Sequence, residues 1–349
     1  MKRVTSLLII FLSFSLCLKG QDQYMVFFND KDNSSFSVDS PLAFLSQRAI
    51  SRRLKNNVFI TAEDFPVNQS YVDQVAVLGI ETYFSSRWMN ALLVQMEDED
   101  TINVLSLPFV DRIEYVSPSA TLTSQPGEAA QAALSPIEPS RVEQSQYIML
   151  GIDRMHQEGF RGDGLLVAIF DSGFRNYTNL PAFSHLIDRE GIIQTFDYTK
   201  NSVSVENNFD HGLRVLSILG ADAEMIGAVP QANYILAITE NEVSEYRIEE
   251  YNWLFAAEMA DSAGVDVINT SLGYSVFDDE SMSYTQDQMD GETTVISRAA
   301  SIAASKGIVL VASAGNEGNN AWGTITAPAD SEHLLAVGAV NNLADLASF

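Results

Sequence analysis

The stretch that most narrows the choice of fold is Leu165-Leu166-Val167-Ala168-Ile169-Phe170-Asp171-Ser172-Gly173. Six apolar residues run without a break into an acid, a small hydroxyl and a glycine. A continuous apolar run of this length, bounded by turn residues, predicts a strand buried on both faces of a parallel sheet. Its polar end then lies at the carboxyl edge of that sheet, where open α/β folds keep their binding crevice. Asp171 there is poised for chemistry, or it caps the following turn. For an isolated acid at a strand end, the cap is the commoner use.

The chain around this strand repeats its pattern. A helix is expected from His211 to Gly220, with Leu213, Leu216 and Leu219 spaced three apart. Tyr234 to Ile238 reads as a strand. Ile248, Tyr251, Phe255 and Met259 mark the buried face of a helix that Gly264 ends. Val265 to Ile268 is a strand, and Thr293 to Lys306 is an alanine-rich helix stopped by Gly307. Ile308 to Ala312 and Leu334 to Val340 complete the series. This alternation predicts an α/β fold, a parallel sheet with helices on both faces, over residues 147–349.

The chain ahead of it reads differently. Lys2-Arg3 precedes an apolar core, Leu7 to Leu16, too short to span a membrane, so residues 1–20 are expected to be a secretory signal peptide. The only cysteine, Cys17, lies within it, so the mature chain has no disulfide, thiolate nucleophile or cysteine metal cluster. Residues 21–117 predict a small α+β domain: strands at Tyr24–Phe28, Ile80–Phe84, Ala91–Gln95 and Val110–Tyr115, helices at Pro41–Arg53 and Tyr71–Leu78. Its run Glu97-Asp98-Glu99-Asp100 is expected to be a solvated turn, since no metal-ligand spacing accompanies it. Residues 118–146, rich in Ser, Ala, Gln, Glu and Pro, predict an exposed linker open to proteolysis.

Forty-six acids against 20 bases leave a net charge of -26. That argues against a nucleic-acid or anionic-membrane partner and suits an exported protein, secreted, periplasmic or extracellular. No other stretch is long and apolar enough to cross a bilayer.

Four polar clusters fall at or beside the expected carboxyl edge: Asp171-Ser172-Gly173, His211-Gly212, Asn269-Thr270-Ser271-Leu272-Gly273 and Ser313-Ala314-Gly315-Asn316-Glu317-Gly318. An acid and a histidine brought together there suit general-base catalysis. The carboxylate keeps one imidazole nitrogen protonated while the other accepts a proton from a nucleophile. Gly212 lets the backbone crowd close, and Asn316 in its glycine-flanked turn can present an amide to a developing oxyanion. Of the other histidines, His156, His185 and His333, none combines a glycine neighbour with a helix start. Asn316 taken alone is an ordinary turn residue; the joint occurrence is what is specific.

In that order, the strings Asp171-Ser172-Gly173, His211-Gly212-x-x-Val215-x-Ser217, Ile268-Asn269-x-Ser271-Leu272-Gly273 and Ala314-Gly315-Asn316-Glu317-Gly318 resemble the subtilisin-like serine peptidases. The resemblance spans residues 147–349. It implies that Asp171 orients His211, that His211 is the general acid and base, and that Asn316 donates to the oxyanion. It implies that Ser271-Leu272-Gly273 pairs edge-on with an extended peptide, and that Ser313-Ala314-Gly315 lines the pocket for the residue before the scissile bond. Residues 21–117 resemble, more loosely, the inhibitory propeptides of the same family. Peptide or protein substrates are then the expected partners, with the chain's own propeptide as intramolecular inhibitor. No cofactor is expected; the family allows a structural calcium, but no acidic loop here has ligand spacing, and no metal residue is named.

Two departures stand out. Leu213 occupies the place where the family usually has threonine after His-Gly, which removes a hydroxyl near the histidine. More consequentially, the family's nucleophile stands in Gly-Thr-Ser, and no Gly-Thr-Ser occurs in these 349 residues. Ser172 follows the acid directly and Ser313 belongs to the pocket wall, so neither substitutes; a serine without its base partner is not activated. The expectation is a fragment of a longer serine endopeptidase precursor, inactive as it stands. The alternative is a catalytically dead homologue that binds peptides or proteins in the same cleft. A third reading makes Asp171 a metal-binding or phosphoryl-accepting acid, but leaves His211-Gly212 and the Gly-Asn-Glu-Gly turn without a role.

Overall fold

The computed structural model describes residues 21–118, 146–341 and 343–347. The expected signal peptide, and the expected linker apart from its ends, lie outside the described residues.

Residues 21–118 build a four-stranded antiparallel sheet in the order β2-β3-β1-β4. Its strands are β1 (Asp22–Phe28), β2 (Glu81–Ser86), β3 (Ala91–Met96) and β4 (Val110–Ser117). The helices are α1 (Gln47–Lys55), α2 (Gln69–Val77) and α3 (Thr101–Leu105). The helix expected over Pro41–Arg53 is in fact a single turn at Pro41–Ala43 followed by α1. Ser46 resets the start by capping α1, its Oγ accepting from the Ala49 N–H at 3.1 Å. The acids Glu97 to Asp100 lead through one turn into α3, a helix the sequence did not predict. Side chains alternate across β1. Tyr24, Val26 and Phe28 pack with Val75 of α2 and Val104 of α3, whereas Met25 and Phe27 face the rest of the molecule.

The second sheet has six strands, all parallel, in the order β10-β9-β8-β5-β7-β6. They are β5 (Leu166–Asp171), β6 (Ile192–Asp197), β7 (Asn233–Ile238), β8 (Val267–Thr270), β9 (Val309–Ser313) and β10 (Leu335–Val337). Helices α4 (Ile152–Gln157), α5 (Ser184–Asp188), α6 (His211–Gly220), α7 (Ile248–Ala263) and α8 (Val295–Ser305) connect or flank them. This is the expected α/β fold. β5 sits inside the sheet and is buried along its whole length. Leu166, Ala168 and Phe170 join a core with Trp253 and Ala257 of α7 and Ala299 of α8; Val167 and Ile169 join another with Leu213 and Leu216 of α6. Gly264 and Gly307, with φ of +90° and +84°, end α7 and α8 in the left-handed region that glycine tolerates. β10 is shorter than the expected Leu334–Val340, because its pairing ends at Ser313, where β9 ends.

The largest difference from expectation is α7. The spacing predicts one buried face; instead 12 of its 16 residues are buried, including Glu249, Glu250, Asn252, Glu258 and Asp261. The four-stranded sheet lies over what would have been the solvent side. Met25, Phe27, Leu93 and Val116 from that sheet share one core with α7. Two of the buried acids, Glu258 and Asp261, are met by partners from the first unit. Glu258 accepts from Ser86 Oγ at 2.5 Å and from the backbone N–H groups of Arg87 at 2.9 Å and Trp88 at 3.1 Å. Asp261 is ion-paired with Arg52, with Arg53 at 2.7 Å and with Arg87 at 2.5 Å. Arg53 also holds Asp64 at 3.0 Å, and Asp64 holds Lys306 at 2.9 Å. A cluster of four cations, Arg52, Arg53, Arg87 and Lys306, and three acids, Asp64, Glu258 and Asp261, therefore joins α1 and the β2–β3 turn to α7 and α8.

Candidate active site

Strand β5 delivers Asp171 to the carboxyl edge of the six-stranded sheet, and α6 begins with His211. The Asp171 carboxylate is fully buried, whereas the His211 side chain is half exposed. Asp171 Oδ1 lies 2.8 Å from His211 Nδ1 and also accepts from the Ser172 N–H at 2.8 Å. Neither Asp171 Oδ2 nor His211 Nε2 has a hydrogen-bond partner among the described residues. The histidine's pKa is raised, first by its hydrogen bond to Asp171, against the lowering effect of burial, with the charges of Asp171, Glu240 and Glu242 adding to the rise.

The approach of α6 to β5 depends on Gly212. A Cβ there would stand 2.8 Å from both Asp171 Cβ and the Gly173 carbonyl oxygen. Leu213 N–H donates to that same carbonyl at 3.1 Å, so the turn after β5 and the first turn of α6 are stitched together. Asn207 adds a further tie, its Nδ2 donating to the Ser172 carbonyl at 2.7 Å. Ser172 Oγ donates to Glu242, past the end of β7, rather than to His211.

The other expected residues lie on neighbouring strand ends. Ser271, Leu272 and Gly273 follow β8, the strand next to β5. The Leu272 side chain is buried in the core; among the described residues, no backbone group of the three is hydrogen-bonded to another backbone group. Ser313 closes β9, and Ala314 donates to the Val337 carbonyl at 3.0 Å. Gly273 and Gly315 face the same side chain: a Cβ would come within 2.2 Å of Thr326 Oγ1 at Gly273 and 2.7 Å at Gly315. Thr326 thus packs against both strings, a residue the motifs did not single out. Asn316 is exposed in the loop after β9, which is two strands from β5.

The remaining histidines are engaged elsewhere or remote in setting. His156 bonds Tyr147 and the Ala228 carbonyl, His185 bonds the Pro230 carbonyl, and His333 is exposed before β10. The sequence reading also missed Glu240, Glu242, Glu245 and Glu249, which gather where the chain leaves β7. No ligand spacing marked them; the only available hint was the density of acids after a buried strand.

Comparison with known proteins bears on two segments. Residues 162–349 match the family model described as the subtilase family, and residues 23–132 match a peptidase S8 propeptide domain of Bacteroidota. Subtilisin E of Bacillus subtilis is 28% identical over 217 residues, covering 59% of this chain and 50% of its own length. The subtilisin-like protease SBT6.1 of Arabidopsis thaliana is 27% identical over 206 residues, covering 58% of this chain and 17% of its own. The chain thus spans half or less of these two relatives. Among solved structures, the epidermin leader peptide processing serine protease of Staphylococcus aureus superposes with a TM-score of 0.54 at 13% identity, covering 94% of this chain and 71% of that one. That likeness is one of fold.

Proposed function

The chain belongs to the subtilase family, and from that premise we propose that Asp171 and His211 are the orienting acid and the general base of a secreted serine endopeptidase precursor. The observation that carries the reading is the 2.8 Å bond from a buried carboxylate to Nδ1 of a half-exposed imidazole whose Nε2 is unengaged. Asp171 keeps the proton on Nδ1, so Nε2 is the basic nitrogen. It takes the hydroxyl proton of an attacking serine, and the Asp171 carboxylate stabilises the imidazolium that forms. The same nitrogen then returns the proton to the leaving amine. The Asn316 side-chain amide is assigned to the oxyanion. The backbone of Ser271-Leu272-Gly273 is assigned to pairing with an extended substrate, which its lack of backbone partners supports. Ser313-Ala314-Gly315 is assigned to the wall of the pocket beside it.

The attacking hydroxyl is not assigned to any residue among the 349. They contain no Gly-Thr-Ser, and Ser172 donates to Glu242 instead of His211. We therefore assign hydrolysis to a chain that carries the family nucleophile, and none to these residues alone.

Residues 21–117 are assigned the role of an intramolecular inhibitor that also helps the six-stranded unit fold. Two features support this. Its sheet covers α7 and shares a core with it. And β4 ends at Ser117 in a small cavity lined also by Asn241, Tyr246 and Glu249, so the chain leaves the first unit beside the carboxyl edge of β7. Residues 1–20 are assigned to export and 118–146 to the segment cut on activation.

The test is made on a chain carried in frame through a Gly-Thr-Ser motif. His211→Ala is expected to abolish self-cleavage and casein hydrolysis while the circular dichroism spectrum stays unchanged. A variant that still cuts itself refutes the assignment.

A further inference from the structure

Strand β7 runs beside β5, with Ile238 paired to Asp171. The chain leaving β7 therefore emerges next to the acid–histidine pair. It carries Glu240 and Glu245, and the first turn of α7 adds Glu249. One carboxylate oxygen from each of the three lies within 4.8 Å of the others. That is about twice a Ca–O bond, a span that a single ion can bridge.

Two further observations show that buried oxygens in this group lack partners, although the Glu249 carboxylate also accepts from the backbone at Tyr246 and Asn241. Glu249 is 2% exposed, and its Oε2 is buried without a hydrogen bond, as is Oε2 of Glu240. From a different element, past β8, Tyr274 is 1% exposed and its hydroxyl is likewise unpartnered. That hydroxyl lies within the field of the same group: its pKa is raised by burial first, then by the charges of Glu240, Glu249 and Glu245. No ion pair reaches the three carboxylates among the described residues. Arg247, the nearest arginine in sequence, is committed to Glu114 at 3.3 Å and stands 3.9 Å from Glu250.

Left to themselves, carboxylates in this setting resist ionisation. Burial pushes Glu240 up to about 8, with Glu245 and Asp171 adding to it. Burial and Asp278 push Glu245 to about 7, and burial with Glu245 and Glu240 pushes Glu249 to about 10. A buried cluster of this kind is relieved by protons or by a cation.

We propose that Glu240, Glu245 and Glu249 bind one hard divalent cation of the calcium class, which pins the β7–α7 connection beside the acid–histidine pair. The donor set is oxygen only, which selects hard ions over thiolate- or imidazole-seeking metals. Calcium is favoured over magnesium because an irregular loop supplies ligands at variable distance and angle, whereas magnesium demands near-ideal octahedral geometry. The site does not depend on the peptidase reading and can be tested without a nucleophile.

The test uses the 349-residue chain, stripped with chelator and titrated with CaCl2 by calorimetry. One ion per chain is expected, with a rise in Tm. Glu245→Gln and Glu249→Gln are each expected to weaken calcium binding at least tenfold, and Glu224→Gln, an exposed acid before β7, to leave it unchanged. For a variant that does not fold, terbium luminescence on the unaltered chain serves: emission sensitised by the nearby tyrosine should appear and be displaced by calcium. No binding, or binding indifferent to these substitutions, overturns the proposal. So does a chain that ignores calcium and becomes more stable with glutamine at these positions, which would mark a self-protonating cluster. A chain that ignores calcium but takes an arginine-containing peptide at these glutamates overturns it as well, in favour of a basic side chain.

Discussion

Asp261→Ala tests how the two sheets are held together. Asp261 is fully buried near the end of α7 and is paired with three guanidinium groups, from Arg52, Arg53 and Arg87. Counted as separate charged hydrogen bonds at about 1.5–3 kcal/mol each, the loss would be the full sum of three. That sum overshoots, because each arginine keeps other partners. Arg52 still donates to the Val265 carbonyl at 2.6 Å, Arg53 still pairs with Asp64 at 3.0 Å, and Arg87 still reaches Ser262 Oγ at 2.6 Å. What remains is the cost of leaving buried positive charge uncompensated, about 3–5 kcal/mol for removal of one partner. At about 1.4 kcal/mol per decade, that is roughly two to three and a half powers of ten in the opening equilibrium. Hydrogen exchange of α1, which carries Arg52 and Arg53, reads this opening directly. Its protection should fall by that factor, and the urea midpoint should drop with it. A fall in protection of less than tenfold in α1, in a variant with a normal spectrum, would refute the view that Asp261 clamps the two units.

Two further predictions concern the acid–histidine pair. The pKa of His211 is raised, so the pair adds stability that is fully present below the unfolded value near 6.5 and is lost as pH rises through the folded value. Asp171→Asn should therefore bring the His211 NMR titration back toward about 6.5 and destabilise the chain more at acid than at alkaline pH; an unchanged titration would contradict the bond. Gly212→Ala forces a methyl to within 2.8 Å of Asp171 Cβ and the Gly173 carbonyl. It should cost about 1–3 kcal/mol in urea unfolding and lower the His211 pKa, and normal values of both would show that α6 does not need so close an approach.

The parts of the fold legible in the sequence are those governed by local rules. The apolar run of β5 reads as a buried strand because nothing along it could face water. Gly264 and Gly307 read as helix ends because the left-handed turn there favours glycine. The pairing of Asp171 with His211 was legible too, since both stand at element boundaries that a parallel sheet brings to one edge. What escaped was set by partners distant along the chain. Glu258 and Asp261 look like the wet side of an amphipathic helix until Arg87, from the first unit, is laid over them. Glu240, Glu245 and Glu249 have no motif spacing; they converge only because the chain turns from β7 into α7. Thr326 was invisible for the same reason, standing between two glycines more than forty residues apart.

The chemistry of the contact between the two units decides what would happen if they parted. An interface made only of the shared apolar core would leave a sticky surface on each piece, prone to self-association. Here the newly wetted surface would also carry Glu258 and Asp261 on one piece and Arg52, Arg53 and Arg87 on the other. Charges that need exact partnering in the dry interior hydrate readily in water. The ion cluster thus makes the closed form selective for its own partner and leaves the separated surfaces of opposite sign and water-compatible, so that docking can be both tight and reversible.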